Sequence, residues 1–192
     1  MSRSGVEQFV VIGCGYPRPD DIHHLARRTC PGAAVVYLDD GLIVSAHARA
    51  LTEPQALYHR TDLADPAAIL SAIEGTRARL GGIDTTRPVG LVFGQMSLEQ
   101  LTDPAPLVGG LVAALPAGHL VITHLGPTPT DPDTATAAAT VYAKHRLRLR
   151  PRTHDQLTTL LTGLEVTEPG IVPATEWRPD TTHPPVTASA AC

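Results

Sequence analysis

The chain has 192 residues, 43% of them hydrophobic and 18% charged, a composition typical of one globular domain with its own core. Its net charge of -4 and its aromatic content of 4% argue against a nucleic-acid-binding surface, so the expected partner is a small molecule or another protein. Three cysteines without a CxxC pair, no signal-peptide pattern and no apolar run near the roughly 18 residues that span a bilayer predict a cytoplasmic setting without membrane contact.

The first predicted element is a short buried strand at residues 9–12, which runs into the sequence "GCGYPRP". Gly13 and Gly15 follow this strand directly, and glycine both accepts unusual backbone angles and lets a ligand approach the main chain. The N-terminus of a following helix would point free N–H groups at the same place. The pattern fits a cofactor loop or an ordinary tight turn. It is not a complete GxGxxG fingerprint, because Arg18 stands where the third glycine belongs.

Beyond this loop, strand-like runs alternate with helix-like segments. Strands are predicted at residues 33–40, 56–63, 88–94 and 119–126, and helices at about 20–30, 42–51, 65–73, within 103–118, within 128–145 and at 153–161. The strand runs are short, continuous and apolar, as expected for strands buried on both faces. Two of the helices open with Asp-Pro, an N-cap followed by a first-turn proline.

The C-terminal part of the sequence is predicted to turn back on itself. Residues 164–177 contain two strand-like stretches around Glu168-Pro169-Gly170, which is a turn signal, and the Pro/Thr/Ala-rich residues 179–192 are predicted to be a disordered tail. The predicted fold is therefore α/β: a Rossmann-like, doubly wound, mostly parallel sheet with a C-terminal antiparallel hairpin, forming one domain over residues 1–178.

Two carboxylates end neighbouring strands of this predicted sheet. Asp39 ends the second strand, where it could accept hydrogen bonds from both hydroxyls of a ribose, and Asp62 ends the third, where it could meet an adenine amino group. The carboxyl ends of parallel strands share one crevice with the first loop. The alternatives are that Asp39 only caps the next helix and that Asp62 is a solvated loop residue.

Further candidates follow the later strands. Gln95 and Ser97 come after the fourth strand, where they would bind a substrate or cap the loop. His124 ends the fifth strand and is the candidate catalytic base for a hydroxyl or amine acceptor. Cys14, inside the glycine loop, is either a small residue lining the turn or a reactive thiolate. The spacing of the nine histidines predicts no metal site.

The glycine pair, the two strand-end acids and the five-strand α/β body together resemble class I S-adenosylmethionine-dependent methyltransferases. The stretches "VVYLDDGLIVSAHARAL", "TDLADPAAIL", "RPVGLVF" and "GLEVTEPGIVPATEWRPD" resemble an actinobacterial S-adenosyl methyltransferase family, formerly a domain of unknown function, over about residues 7–180. The resemblance implies S-adenosylmethionine as cofactor and a small-molecule methyl acceptor. The residues expected to bind the cofactor are Gly13, Cys14, Gly15, Asp39, Asp40, Asp62 and Leu63.

The sequence also departs from the family pattern. Val11 stands where members usually carry an acid, Asp40-Gly41-Leu42 replaces an Asn-Asp-Pro segment, and the residues after the fourth strand lack a Leu-His-Phe segment. The first strand begins within ten residues of Met1, where members have a helical extension that covers the cofactor. An open site is therefore expected. It predicts either a methyltransferase whose crevice is covered by a homodimer partner or another chain, or a non-catalytic relative with a binding or regulatory role.

Overall fold

Five strands form one sheet, with helices in the connections between them. The computed structural model describes residues 5–51, 56–94, 96–127 and 132–177. Within these residues the strands are β1 (Gln8–Ile12), β2 (Ala34–Asp39), β3 (Ala56–Arg60), β4 (Gly90–Phe93) and β5 (His119–Ile122). The helices are α1 (Ile22–Thr29), α2 (Leu42–Leu51), α3 (Pro66–Glu74), α4 (Ala105–Ala114), α5 (Thr134–Lys144) and α6 (His154–Leu160). Each strand and helix predicted up to residue 161 is present; β1 begins one residue earlier than predicted, and the other four strands are shorter than predicted.

The sheet has the order β3-β2-β1-β4-β5, and all neighbouring strands are parallel. The chain moves outward from β1 to β3 on one side and then returns to place β4 on the other side of β1. The strand order therefore reverses between β1 and β4. In open α/β sheets this arrangement leaves a ligand-binding crevice at the carboxyl ends of the strands. The predicted doubly wound α/β fold is confirmed.

Two apolar clusters cover the two faces of the sheet. On one face α3 and α4 pack against the strands through Ile69, Ile73, Leu107, Val108 and Leu111. On the other face α1 contributes Ala26 to a smaller cluster with Phe9, Val11, Val35 and Tyr37, and Val92 of β4 is only partly buried there. The α1 face of the sheet is therefore less completely covered near β4, beside the crevice.

Local sequence signals explain where two of the helices begin. The Asp65 side chain accepts a hydrogen bond from the backbone N–H of Ala67 at 2.8 Å, and Pro66 occupies the first turn of α3. Thr153 and Gln156 form a reciprocal capping box at the start of α6. These contacts satisfy N–H groups that have no partner inside a helix. The Asp-Pro start predicted for α3 is confirmed.

The C-terminal antiparallel hairpin predicted for residues 164–177 is not present: the segment consists of turns and irregular backbone. Pro169 and Pro173 have no N–H group to donate to a strand ladder. The side chains of residues 165–169 are all exposed, so this stretch has no buried side that would hold a strand against the core. The sheet is parallel throughout the described residues. The predicted tail at 179–192 lies outside them.

Within the described part of the chain, no helix has the length and apolarity required to cross a membrane.

Candidate functional site

An open cavity of about 580 Å³ lies at the carboxyl ends of the strands, where the strand order reverses. Its walls come from the glycine loop (residues 13–15), the end of β2 and the loop after β4. The predicted site residues that line it are Gly13, Cys14, Gly15, Asp39, Asp40, Leu63 and Ser97. The fold therefore brings cofactor and substrate candidates from separate chain segments into one cavity.

Close packing against the loop after β4 requires a glycine at position 13. Its φ angle is +72°, and a Cβ atom added there would lie 2.6 Å from the Cβ of Ser97. A Cβ atom at Gly94 would in turn collide with the carbonyl oxygen of Gly13. Gly13 and Gly94 therefore allow the loops after β1 and β4 to pack closely against each other. The packed loops form one wall of the cavity.

Gly15 has a different environment. Its φ angle is +65°, a conformation that L side chains rarely adopt, but an added Cβ atom would meet no atom within 4 Å. The backbone N–H of Gly15 donates a 2.9 Å hydrogen bond to Oδ2 of Asp39. Gly15 thus ties the glycine loop to the end of β2 while leaving the space beside its own backbone empty.

Asp39 joins three parts of the cavity wall through its carboxylate. Oδ2 accepts from the backbone N–H of Gly15, and Oδ1 accepts from the backbone N–H of Gly41 at 2.9 Å. A carboxylate offers about four lone-pair positions, so two backbone bonds leave capacity for further donors. The vicinal hydroxyls of a ribose are donors of that kind, and the residues at this point fit the sugar of an adenosyl group.

The remaining predicted carboxylates are placed at the edge of the cavity. Asp40 lines it, and burial together with the neighbouring Asp39 charge raises the pKa of Asp40 above its usual value. Asp62 instead lines an adjacent depression with Asp40, Arg60 and Thr61, and its Oδ1 accepts the backbone N–H of Ala64 at 2.8 Å. The structure thus places Asp62 beside the main cavity rather than in it.

Cys14 behaves as a buried thiol. Its Sγ lies 3.8 Å from Oδ2 of Asp39. Burial, reinforced by the Asp39 charge, raises the pKa of the Cys14 thiol far above its usual value. Only the thiolate is a strong nucleophile, so the structure favours a small residue lining the turn over a reactive cysteine.

The loop after β4 supplies the opposite wall. Ser97 is buried, lines the cavity and donates from Oγ to the carbonyl oxygen of Gly94 at 2.6 Å. This bond is the loop-capping contact that the sequence left as the alternative to substrate binding. Gln95, the other predicted substrate residue, lies outside the described residues.

Several lining residues were not identified from the sequence, among them Tyr37, Asp21, Met96, Gln100 and Thr123. The sequence could have indicated Tyr37, since it precedes Asp39 by two positions and therefore lies on the same face of the strand. Met96 has no such signal: its φ angle of +74° depends on how the loop packs.

His124 lies in a buried polar cluster behind the cavity wall and does not line the cavity. Its Nδ1 is 2.7 Å from the carbonyl oxygen of Leu125, which can only accept, so Nδ1 carries a proton. Nε2 is 2.8 Å from Nη1 of Arg152 and therefore accepts. Both ring nitrogens are engaged in a neutral imidazole. This geometry gives no support to His124 as a catalytic base.

Arg152 connects this cluster to the loop after β4. Nη1 also donates to the carbonyl oxygen of Leu98 at 2.9 Å, and Nη2 donates to that of Leu101 at 2.7 Å. Glu99 is fully buried in the same region, where Oε1 accepts the backbone N–H of Leu125 at 2.8 Å and Oε2 has no hydrogen-bond partner. The guanidinium therefore holds the loop that carries Ser97 and offsets the charge of a buried carboxylate.

The described residues contain no group of three or more His, Cys, Asp or Glu side chains that could hold a metal ion.

The protein is expected to lose stability as the pH falls below about 6.5, the ordinary pKa of histidine. Burial, and secondarily the Arg152 charge, lower the pKa of His124, while Glu99 and the Leu125 carbonyl oppose this; burial also lowers the pKa of His59. The unfolded chain then binds protons in a pH range where the folded chain does not, so stability is present above pH 6.5 and is lost below it.

Urea unfolding at about pH 7.5 and about pH 5.5 measures this loss. His124→Gln, which cannot titrate, should show a smaller loss than the wild type, whereas the control His145→Gln at an exposed position should match the wild type. Equal pH dependence in His124→Gln and the wild type would contradict the assignment.

Comparisons with known proteins agree with the fold and the crevice. The model of a family described as S-adenosyl methyltransferase matches residues 1–191. The chain is similar to the crystal structure of a DUF574 family protein from Streptomyces avermitilis, with 31% identity over 94% of this chain and 70% of that one, at a TM-score of 0.80. No curated protein matches the chain.

Two further structures are similar. A candidate methyltransferase from Thermobifida fusca is 28% identical over 95% of this chain and 68% of that one, at a TM-score of 0.81. The complex of LepI with SAM is 16% identical over 81% of this chain and 36% of that one, at a TM-score of 0.53, which shows a shared fold alone. With the family match, these similarities confirm the predicted family and cofactor: the chain belongs to the S-adenosyl methyltransferases, whose methyl donor is S-adenosylmethionine.

Proposed function

We propose that the cavity binds S-adenosylmethionine between Gly13, Asp39 and Leu63 and that the chain transfers the methyl group to a small-molecule acceptor beside Ser97. The observation that carries this proposal is the Asp39 carboxylate. It ends β2, the strand next to β1, lines the cavity and is held in place by N–H groups from two loops. A fixed carboxylate at this position of an α/β sheet is suited to the hydroxyls of a nucleoside.

The charge of the cavity supports a cationic ligand. Its lining includes four carboxylates, Asp20, Asp21, Asp39 and Asp40, against the single guanidinium of Arg18. Arg18 is itself paired with Asp20 at 3.2 Å. When bound, S-adenosylmethionine supplies an electrophilic methyl group on a positively charged sulfur, and the surrounding carboxylates would favour that charge.

The acceptor side of the cavity is suited to a small molecule. Val11 and Val92 provide an apolar floor from adjacent strands, whereas Ser97, Gln100 and Thr123 provide hydrogen-bonding groups at its edge. Methyl transfer depends mainly on aligning the attacking atom with the bond that breaks. An apolar floor with a polar edge can orient an acceptor without a charged catalytic side chain.

The proposal is tested by incubating the protein with S-adenosylmethionine carrying a labelled methyl group and a panel of small hydroxyl, amine and carboxylate compounds. Labelled product together with S-adenosylhomocysteine is expected, and both should fall in Asp39→Ala. Tight cofactor binding without transfer to any compound would favour the second candidate, a ligand-binding relative without turnover. Val11, which replaces the acid usual in the family, is the residue that favours this second candidate.

Gly15→Val is expected to abolish cofactor binding while the fold survives. A side chain at this position points into open space beside the glycine loop, where the cofactor would lie. The positive φ angle also predicts a stability loss of about 1 kcal/mol or more. Calorimetric titration with S-adenosylhomocysteine and a thermal melt of the same sample measure the two effects separately.

Gly15→Asn is the matched variant, because asparagine tolerates a positive φ angle better than other side chains do. It should stay closer to the wild type in stability and still bind weakly. Undiminished affinity in both variants, with only a lowered melting temperature, would remove the glycine loop from the binding site.

A homodimer, or a partner chain, is proposed to cover the cavity. Tyr16, Leu42 and Ile43 flank the lining residues in sequence and are 54%, 69% and 63% exposed. Exposed large apolar side chains beside a ligand site are typical of an interface, and most homo-oligomers are two-fold dimers. Light scattering should give a dimer that Ile43→Glu dissociates. A monomer at every concentration, with full cofactor affinity, would contradict this.

A further inference from the structure

Positive charge is concentrated in one short segment of this acidic protein. Residues 144–152, here the basic segment, contain five of the fifteen lysines and arginines of the chain: Lys144, Arg146, Arg148, Arg150 and Arg152. No aspartate or glutamate occurs between residues 134 and 154. Cations near the end of α5 are favoured by the helix dipole, which accounts for Lys144. The dipole does not account for the arginines further along.

The basic segment is held by hydrogen bonds against the loop after β4, which forms the acceptor side of the cavity. The backbone N–H of Arg150 donates to the carbonyl oxygen of Glu99 at 2.9 Å, and its Nη1 donates to that of Gln100 at 2.7 Å. Gln100 lines the cavity. Leu149 is buried, so the backbone around these arginines is anchored. The segment therefore lies beside the loop after β4, away from the carboxylates that surround the cofactor end.

Two arginines of the segment have no counter-charge among the residues that the structure describes. Arg146 and Arg148 are exposed, and neither makes an ion pair with a carboxylate within the described residues. Arg150 and Arg152 use their guanidinium groups on backbone carbonyls and on His124. An unpaired guanidinium on an anchored backbone is well suited to carboxylate or phosphate, because it offers several donors in a fixed plane.

We propose that the methyl acceptor is an anion, a small molecule bearing a carboxylate or phosphate group, and that Arg146 and Arg148 bind this group. The inference rests on the proposed function and specifies its substrate class. Carboxylates surround the cofactor end of the cavity, while Arg150, two residues from Arg148, contacts the backbone of Gln100 on its acceptor side. This separation would orient a charged acceptor, placing its reacting atom beside Ser97 and its anionic group towards the arginines.

The test uses the full chain saturated with S-adenosylhomocysteine and three probes: inorganic phosphate, benzoate and the neutral amide benzamide. Backbone NMR shifts are followed during each titration. At least one anion is expected to shift the resonances of Ser97 and Gln100, and benzamide is expected to bind at least about tenfold more weakly. Comparison of the affinities for phosphate and benzoate identifies the preferred anion. Equal binding of benzoate and benzamide, with no effect of phosphate, would overturn the proposal.

Two double variants separate local recognition from net charge. Arg146→Gln/Arg148→Gln should weaken anion binding at least about tenfold. Arg28→Gln/Arg79→Gln removes the same charge from exposed positions at the opposite end of the sheet and should retain wild-type affinity. Equal losses in both double variants would show a general charge effect and overturn the site.

S-adenosylhomocysteine affinity is measured in each protein. It should be unchanged in both double variants, since these positions lie away from the cofactor end. If the wild type fails to bind S-adenosylhomocysteine, the proposed function fails, while the anion titration of the unliganded chain still decides whether Arg146 and Arg148 bind an anion.

Discussion

Replacing Asp39 with alanine is expected to weaken S-adenosylhomocysteine binding by about 1.5–3 kcal/mol, which is roughly 10- to 150-fold in the dissociation constant. The substitution removes the acceptor proposed for the ribose hydroxyls. It also releases the backbone N–H groups of Gly15 and Gly41, which the carboxylate now holds at 2.9 Å each. The loops on both sides of the cavity would lose their fixed positions. Isothermal titration calorimetry measures the change directly.

Asp65→Ala is the matched control. Asp65 also accepts a backbone N–H through its carboxylate, but it caps α3 and does not line the cavity. It should lower stability by about 1 kcal/mol and leave the affinity unchanged. Asp62→Ala, in the adjacent depression, should have a smaller effect than Asp39→Ala. An affinity in Asp39→Ala equal to that of the wild type would remove Asp39 from the site.

Arg152→Met is expected to lower the free energy of unfolding by about 3 kcal/mol or more, because each buried acceptor left without a donor costs about 1–3 kcal/mol. The substitution leaves the carbonyl oxygens of Leu98 and Leu101 and the Nε2 atom of His124 without the donors that now meet them. It also leaves the fully buried Glu99 carboxylate without a compensating charge. Most domains have a total stability of only about 5–15 kcal/mol. Urea unfolding measures the loss.

Arg148→Met in the same segment is the control for this prediction. Arg148 is exposed and has no ion pair within the described residues, so its loss should change stability by less than about 0.5 kcal/mol. The double variant Glu99→Gln/Arg152→Met should recover part of the stability, because it removes both buried charges. A loss below about 1 kcal/mol in Arg152→Met would show that the cluster does not hold the loop.

The sheet and the cofactor end of the cavity follow from local sequence patterns. Strands buried on both faces are recognisable as continuous apolar runs, and a parallel sheet brings the ends of such strands to one edge. The sequence alone therefore places Gly13, Gly15 and Asp39 together. It does not predict their separate roles, because the collision at Gly13 and the open space at Gly15 depend on the loop after β4.

The acceptor end depends on contacts between distant parts of the chain. His124 was expected in the crevice because it follows β5, but the Arg152 guanidinium, 28 residues away in sequence, holds it in a buried cluster. The hairpin predicted for residues 164–177 has the turn signal but no buried side chains at 165–169. Neither the position of His124 nor the absence of the hairpin can be predicted from neighbouring residues in the sequence. Both depend on which surfaces the rest of the fold offers for packing.

A crystal structure of the full chain with S-adenosylhomocysteine tests the central claim most directly, because it locates the ligand. We expect one molecule in the cavity at the carboxyl ends of β1, β2 and β4, with its ribose hydroxyls within hydrogen-bond distance of Asp39. Its sulfur should face the space between Ser97 and Val92. Ligand bound elsewhere on the chain, or in this cavity without contact to Asp39, would contradict the proposed site.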